Sequence, residues 1–320
     1  MKALLLGGSG FIGTKFIMEF QKKGDEIVIF DKTKPVFKEE NEYQEKMQFI
    51  GGDFNEETDF LSLTKDIDIV FHFISTTNVG SQKSVNEEIK ENIIPTVNLL
   101  EACVTNSVKR FVFLSSGGTV YGRGNGVPFS EHHPLYPISS YGVQKVTIEK
   151  YIHLFWELYG LDYRIIRISN PYGVGQSPNK GQGVIAAFSY AAVEKMPIKI
   201  FGDGMSIRDY IHIDDVVEAI YKIAAYDGDI KVINLGSGHG VSVNDIVDVI
   251  SKQIDYSIEV IHLPERKVDV PYSVLNTSLY QSVFGGNSFI PIEKGINEMI
   301  NFYLHLSMEE KQFIRNVKKM

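Results

Sequence analysis

Cysteine is nearly missing from this chain: Cys103 is the only one among 320 residues. An intramolecular disulfide and a thiolate metal cluster are therefore excluded, and a reducing compartment is expected. Blocks of cationic residues are missing too. With a formal net charge of −8 and no clustered lysines or arginines, the chain offers no surface for tracking nucleic-acid phosphates. No stretch comes near the roughly 18 to 20 apolar residues that a membrane helix requires. The leading "MKALLLGGSG" breaks into glycines too early for the hydrophobic region of a secretion signal, so a cytoplasmic protein is expected. Internal repeats and low-complexity tracts are also lacking.

What is present is a 43% hydrophobic sequence, enough to bury a large core. Short apolar runs recur at 2–6, 26–30, 47–50, 68–73, 110–115 and 163–168. Runs apolar on both faces suit strands buried between helical layers. Helical patterns at 11–24, 92–106 and 141–160 supply crossovers of the right length. The fold expected is α/β, a doubly wound parallel Rossmann sheet, with a smaller C-terminal substrate-binding lobe. Residues 1–168, with about 208–240 returning to them, make the nucleotide-binding domain. Residues 169–207 and 241–320, with isolated helices at 243–254 and 292–306, make the lobe.

Gly7, Gly10 and Gly13 stand between the first strand and the first helix. Glycines there allow a tight turn and let backbone N–H groups approach a pyrophosphate. Asp31 closes the second strand, where a carboxylate accepts hydrogen bonds from ribose hydroxyls and repels a 2′-phosphate. NAD is thus preferred over NADP, a preference that the adjacent Lys32 weakens. Asp53, after the third strand, reads equally as a helix cap or as an adenine contact.

"SSYGVQK" (139–145) puts Tyr141 four residues before Lys145, on one helical face. Such a pair is expected by chance with 16 tyrosines in the chain. Beside a nucleotide site it gains meaning. A neighbouring ammonium and a cationic nicotinamide would lower the phenol pKa and make a general base.

Nine ordered segments carry a wider resemblance: "GGSGFIG" (7–13), "GGDFNE" (51–56), "HFIST" (72–76), "ENIIPTVNLLEA" (91–102), "LSSGGTVYG" (114–122), "YGVQK" (141–145), "RISNPYG" (167–173), "FGDGMSIRDYIHIDD" (201–215) and "LPERKVDVPYSVLNTS" (263–278). Over nearly its whole length the chain resembles the extended short-chain dehydrogenase/reductase family, and within it the nucleotide-sugar epimerases typified by UDP-glucose 4-epimerase. The resemblance implies a 4-epimerase working through a transient 4-keto sugar, with Tyr141 as acid/base. It implies NAD contacts from Gly7, Gly10, Phe11, Ile12, Gly13, Asp31, Lys32, Asp53, Phe54, Phe73, Asn92, Tyr141 and Lys145. Substrate contacts are implied for Asn170, Gly183, Val184, Arg208, Arg266 and Ser273. For Asn170 a turn before Pro171 is the alternative, and for Arg208 an ion pair with Asp209. A homodimer through helices 92–106 and 141–159, and a role in polysaccharide precursor supply, follow from the same likeness.

Three positions depart from the family pattern. Gly117 stands where relatives carry a catalytic Ser or Thr, leaving Ser116 and Thr119 as replacements, of which Thr119 is preferred. Gly118 and Thr119 replace the Asp-Glu pair of sugar dehydratases, and Thr119 the Glu of decarboxylases. Ser273 stands where a bulky Tyr narrows the hexose pocket in some epimerases, and it favours an N-acetylhexosamine. A keto-sugar reductase and a non-catalytic NAD-binding protein are the competing readings. His72 reads equally as a cofactor contact and as a packed histidine. His132 and His133 lack further ligands at metal spacing, so a loop and no metal site is expected.

Overall fold

The computed structural model describes residues 1–37, 46–78, 80–81, 83–179, 183–266, 270–285 and 289–317. In chain order its first half runs β1 (Lys2–Leu6), α1 (Phe11–Lys22), β2 (Glu26–Asp31), β3 (Met47–Gly51), α2 (Phe60–Leu63), β4 (Ile69–His72), α3 (Val85–Glu88), α4 (Ile94–Thr105), β5 (Arg110–Ser116), α5 (Ser140–Tyr159) and β6 (Asp162–Ile168). The second half runs β7 (Asn170–Tyr172), α6 (Val184–Val193), β8 (Ile198–Phe201), β9 (Ile207–His212), α7 (Ile213–Ala225), β10 (Val232–Leu235), β11 (Gly240–Ser242), α8 (Val243–Ser251), β12 (Val260–Leu263), β13 (Tyr272–Ser273), α9 (Ser278–Phe284), α10 (Ile292–Leu304) and α11 (Met308–Val317). α11 runs up to Val317, and residues 318–320 lie outside the described ones.

Two compact units divide the chain: 1–122, 134–168 and 217–233 form the first, and 123–133, 169–216 and 234–320 the second. Residues 123–133 join the second unit because Phe129 bridges to Leu275, a non-local pairing that no local pattern announces. The return to the first unit covers 217–233, a shorter stretch than 208–240.

Among the described residues, seven strands form the main sheet in the order β10-β6-β5-β4-β1-β2-β3. Pairings from β6 through β3 are parallel. Both faces are covered, as the apolar runs require. Leu4 and Leu6 pack with Leu99, Leu100, Ile148 and Ile152 of α4 and α5, while Phe71 stacks on Phe16 and Phe20 of α1. Each such side chain, withdrawn from water, contributes roughly 1.5–3 kcal/mol.

Helix boundaries have local causes. Gly160 ends α5 in the left-handed region (φ 72), where glycine carries no Cβ penalty. Residues 89–93 form a π-helical turn ahead of α4, where an α-helix is predicted from 92. Pro95 stands in the first turn of α4; its missing N–H breaks the i−4 ladder and leaves the wider turn before it.

The second unit holds strands besides the isolated helices expected of it. β9 pairs with β7, β11 and β13, and β8 with β12. Segments this short have no readable period, so only their partners define them. Tyr172, Ile185, Ile198, Ile246, Ile296 and Met299 pack together in this unit's core.

Phe71→Ala should cost about 3–5 kcal/mol, because Phe71 is fully buried between α1 and its neighbours. Chemical denaturation against the wild type measures it.

Candidate active site

At the carboxyl end of β1 the chain turns at Gly7, whose φ is 97°. A Cβ on Gly13 would lie 2.1 Å from the Gly7 carbonyl oxygen and 2.8 Å from Gly8 Cα. Backbone therefore packs on backbone, and only glycine fits. Gly10 caps α1 without a side-chain acceptor, which leaves first-turn N–H groups of Phe11, Ile12 and Gly13 as donors for an anion. Asp31 lies beside this turn: its carboxylate accepts the Ser9 N–H at 2.9 Å and the Lys32 N–H at 2.7 Å.

Lys32 pairs with Asp53 at 2.7 Å, and that hydrogen bond holds its ammonium above the ordinary lysine range. The cation expected to soften the NAD preference is thus engaged by a carboxylate. Phe54 is buried and packs on Phe60 and on the His72 ring. Phe73 continues the β1–β4 pairing and stacks on Phe16. Asn92 clamps the loop after β4: its Oδ1 accepts the Thr76 N–H at 3.0 Å, and its Nδ2 donates to the Glu88 carbonyl at 3.1 Å. His72 is packed, with a ring nitrogen 3.0 Å from the Thr96 hydroxyl. Burial, with the Lys145 charge, pushes it down to about 3 and keeps it neutral.

α5 begins at its Ser139 cap, which accepts the Gly142 N–H at 3.2 Å. Tyr141 therefore stands in the first turn and Lys145 one turn deeper. The Lys145 ammonium donates to the Leu114 carbonyl at 2.9 Å and lies 4.6 Å from the Phe113 ring and 5.6 Å from the Tyr141 ring. Burial lowers it to about 8, with Glu149 acting in the opposite sense. His72, Ile74, Ser75, Asn92, Tyr141, Gln144, Lys145 and Ile148 line one small cavity.

Burial pushes the Tyr141 phenol up to about 12, and a hydrogen bond with Ser116 only partly offsets it; the lowering expected above belongs to a phenol beside a cationic nicotinamide. That same hydrogen bond distinguishes the two hydroxyls, since Thr119 Oγ1 is buried without a partner among the described residues. Ser116, the last residue of β5, meets the phenol; the preferred Thr119 does not enter that contact.

In the second unit, Asn170 donates to the Asp209 carbonyl at 2.8 Å, which holds β7 against β9. Asp209 is buried and accepts from Ser237, Gly238 and Leu275, so its carboxylate organises these loops. Ser273 is buried in register with Arg208. Arg266 lies with its guanidinium 4.4 Å over the Phe201 ring. Gly183, at φ 88°, caps α6 without a side-chain acceptor, and Val184 opens that helix. Among the described residues no group of three metal-ligating side chains occurs, and no helix is long and apolar enough to cross a membrane.

Sequence reasoning missed Glu149 and Arg167. Both are buried and hydrogen-bonded beneath Lys145. Their signal was a carboxylate one helical turn past Lys145.

The glycine turn, the Asp31 carboxylate and the Tyr141/Lys145 helix occupy the region in which a family model, that of the NAD-dependent epimerase/dehydratase family, matches residues 3–236. The chain belongs to that family. Its cofactor is NAD, and the uncapped α1 with its glycine cradle is the part of the structure that fits a pyrophosphate. The chain is 30% identical to a UDP-glucose 4-epimerase of Mycolicibacterium smegmatis, over 96% of this chain and 100% of the relative. It is 31% identical to a dTDP-4-dehydro-6-deoxyglucose reductase of Escherichia coli, over 93% and 96%. A crystal structure of UDP-glucose 4-epimerase with UDP-glucose, from Thermotoga maritima, superimposes with a TM-score of 0.87 at 31% identity, covering 95% of this chain and 98% of that one. The chain is thus an enzyme of a family that modifies nucleotide-sugars with NAD.

Lys145 offers a pH test. Its folded value, about 8, lies below the ordinary 10.5, so the buried ammonium destabilises the fold fully below pH 8. Between pH 8 and 10.5 the unfolded chain binds more protons, and stability rises with pH. Relative to Lys145→Met, the wild type should gain up to about 3 kcal/mol across that window, read by denaturation at each pH.

Proposed function

We propose that the protein interconverts C4 epimers of a UDP-linked hexose or N-acetylhexosamine through a 4-keto sugar. The observation that carries this reading is the Tyr141 phenol held between the Ser116 hydroxyl and the Lys145 helix turn, with no acidic residue at 118 or 119. An elimination or decarboxylation would call on a carboxylic acid there; a proton shuttle at one hydroxyl does not.

Bound NAD supplies the hydride acceptor and, on the return, the hydride donor. Tyr141 takes the C4 hydroxyl proton as the 4-keto sugar forms and gives it back when the hydroxyl is restored. At a value near 12 the phenol resists becoming a base, so added positive charge from the oxidised cofactor supports its ionisation. Lys145 contributes a buried cation on the same helical face, and Ser116 orients the phenol. Arg208 and Arg266 are suited to bidentate contacts with the diphosphate, and the α6 N-terminus at Gly183 and Val184 offers further N–H donors. Ser273 in place of a bulky residue supports an N-acetyl substituent. Exposed Val143, Tyr151, Leu154 and Leu158, spaced as one outward stripe of α5, support a homodimer.

A second reading is a keto-sugar reductase, favoured by the Escherichia coli relative. It requires stoichiometric NAD(P)H consumption, whereas an epimerase regenerates its cofactor at each turnover.

Incubation with UDP-N-acetylglucosamine, and separately with UDP-glucose, should yield the galacto epimer at constant total sugar by anomeric-proton NMR. An unchanged spectrum with both sugars sinks the reading. Tyr141→Phe should lower kcat about 10²- to 10⁴-fold with NAD retained. Ser116→Ala should cost more than Thr119→Ala, and the reverse order would assign the missing hydroxyl to Thr119.

A further inference from the structure

Behind the Tyr141/Lys145 pair lies a buried ionic cluster. We propose that Glu149 is the positioning residue for this pair, its carboxylate locked by Ser115 and Arg167 so that the Lys145 ammonium stays charged and in place. The proposal rests on the roles given to Tyr141 and Lys145 above, but its test needs no sugar.

Glu149 follows Lys145 by one turn on the same face of α5 and is 4% exposed. It accepts the Ser115 hydroxyl, Arg167 Nη2 at 2.7 Å and Arg167 Nε at 3.2 and 3.3 Å. Arg167 Nη1 donates to the Tyr121 hydroxyl at 3.1 Å, and the guanidinium lies 5.2 Å over the Tyr121 ring. Ser115 and Arg167 are direct neighbours in the β5–β6 register. One carboxylate thus joins α5, the ends of two strands and, through Arg167, Tyr121, and Ser115 precedes the Ser116 that meets the phenol.

The charge count explains why a carboxylate is needed. Arg167 faces Glu149 from β6, and its contacts with Glu149 outweigh burial to hold it above the usual arginine range. His72 faces Lys145 from β4 and is neutral. Tyr163 on β6, Tyr121 and Tyr141 are phenols, and Glu88, from α3, accepts from Gln144 and Ser140 on the other side of the helix start. Lys145 and Arg167 are two buried cations sharing Glu149. The cluster carries one net positive charge, the sign that favours phenolate at Tyr141. Without Glu149 two buried cations would face each other, and the lysine is the one able to release its proton.

The test follows the ε-carbon of Lys145 by NMR pH titration in NAD-loaded, lysine-labelled protein, with Lys145→Met to assign the signal. Glu149→Gln should lower the midpoint by about one pH unit or more, and Arg167→Gln should raise it. The double variant, which removes both charges, should titrate near the wild type. Ser115→Ala removes a hydrogen bond without changing charge and should lower Tm while leaving the midpoint alone. If Glu149→Gln does not fold, Arg167→Gln carries the test. A folded Glu149→Gln or Arg167→Gln that keeps the wild-type midpoint overturns the proposal and leaves the cluster as scaffolding. A failed sugar assay with shifted midpoints would overturn the epimerase reading alone.

Discussion

A buried ammonium must be held by something, and at Lys145 the Leu114 carbonyl does this at 2.9 Å. That contact ties the first turns of α5 to the end of β5. The depth of Tyr141, the reach of Ser116 and the alignment of Glu149 on Arg167 all depend on the helix lying where this hydrogen bond puts it. Gly142 allows that approach, since a Cβ there would lie 2.8 Å from Pro137 Cβ and 3.0 Å from the Thr119 carbonyl oxygen. Close backbone packing and a desolvated charge are therefore parts of one arrangement, and the buried charge destabilises the fold that holds it.

The nucleotide end obeys the same logic with a different residue. Gly13 lets α1 approach the β1 turn, and the helix then presents N–H donors in place of a cap. Asp31 is held against this turn by the Ser9 N–H, so its carboxylate and the free N–H donors of α1 lie together. The Lys32–Asp53 pair lies beside them, exposed, where solvent screening keeps such a pair weak. Its consequence is electrostatic: the lysine charge is met by a carboxylate instead of standing free beside Asp31.

Much of the first unit was legible in the sequence because parallel strands covered on both faces read as unbroken apolar runs. Each of the six runs became a strand within a residue or two. The β7, β8, β9, β11, β12 and β13 segments were not legible, since two to six residues carry no period and their partners lie far away in the chain. Residues 123–133 changed unit for the same reason. At the active site, spacing alone marked Tyr141 and Lys145 as one helical face, but it could not rank Ser116 against Thr119. That ranking depends on where the end of β5 delivers a hydroxyl.

The sequence by itself determined the six apolar strands of the main sheet and the long crossover helices between them, the glycine cradle, the Asp31 carboxylate and the tyrosine–lysine pair, because these depend on local period, turn stereochemistry and i,i+4 geometry. Only the tertiary structure decided that burial drives the Tyr141 phenol up, that His72 is neutral and packed, that Asp53 engages Lys32, and that Glu149 and Arg167 share charge beneath Lys145. Those outcomes depend on desolvation and on contacts between residues distant in the chain. Neither is written in the spacing of residues along it.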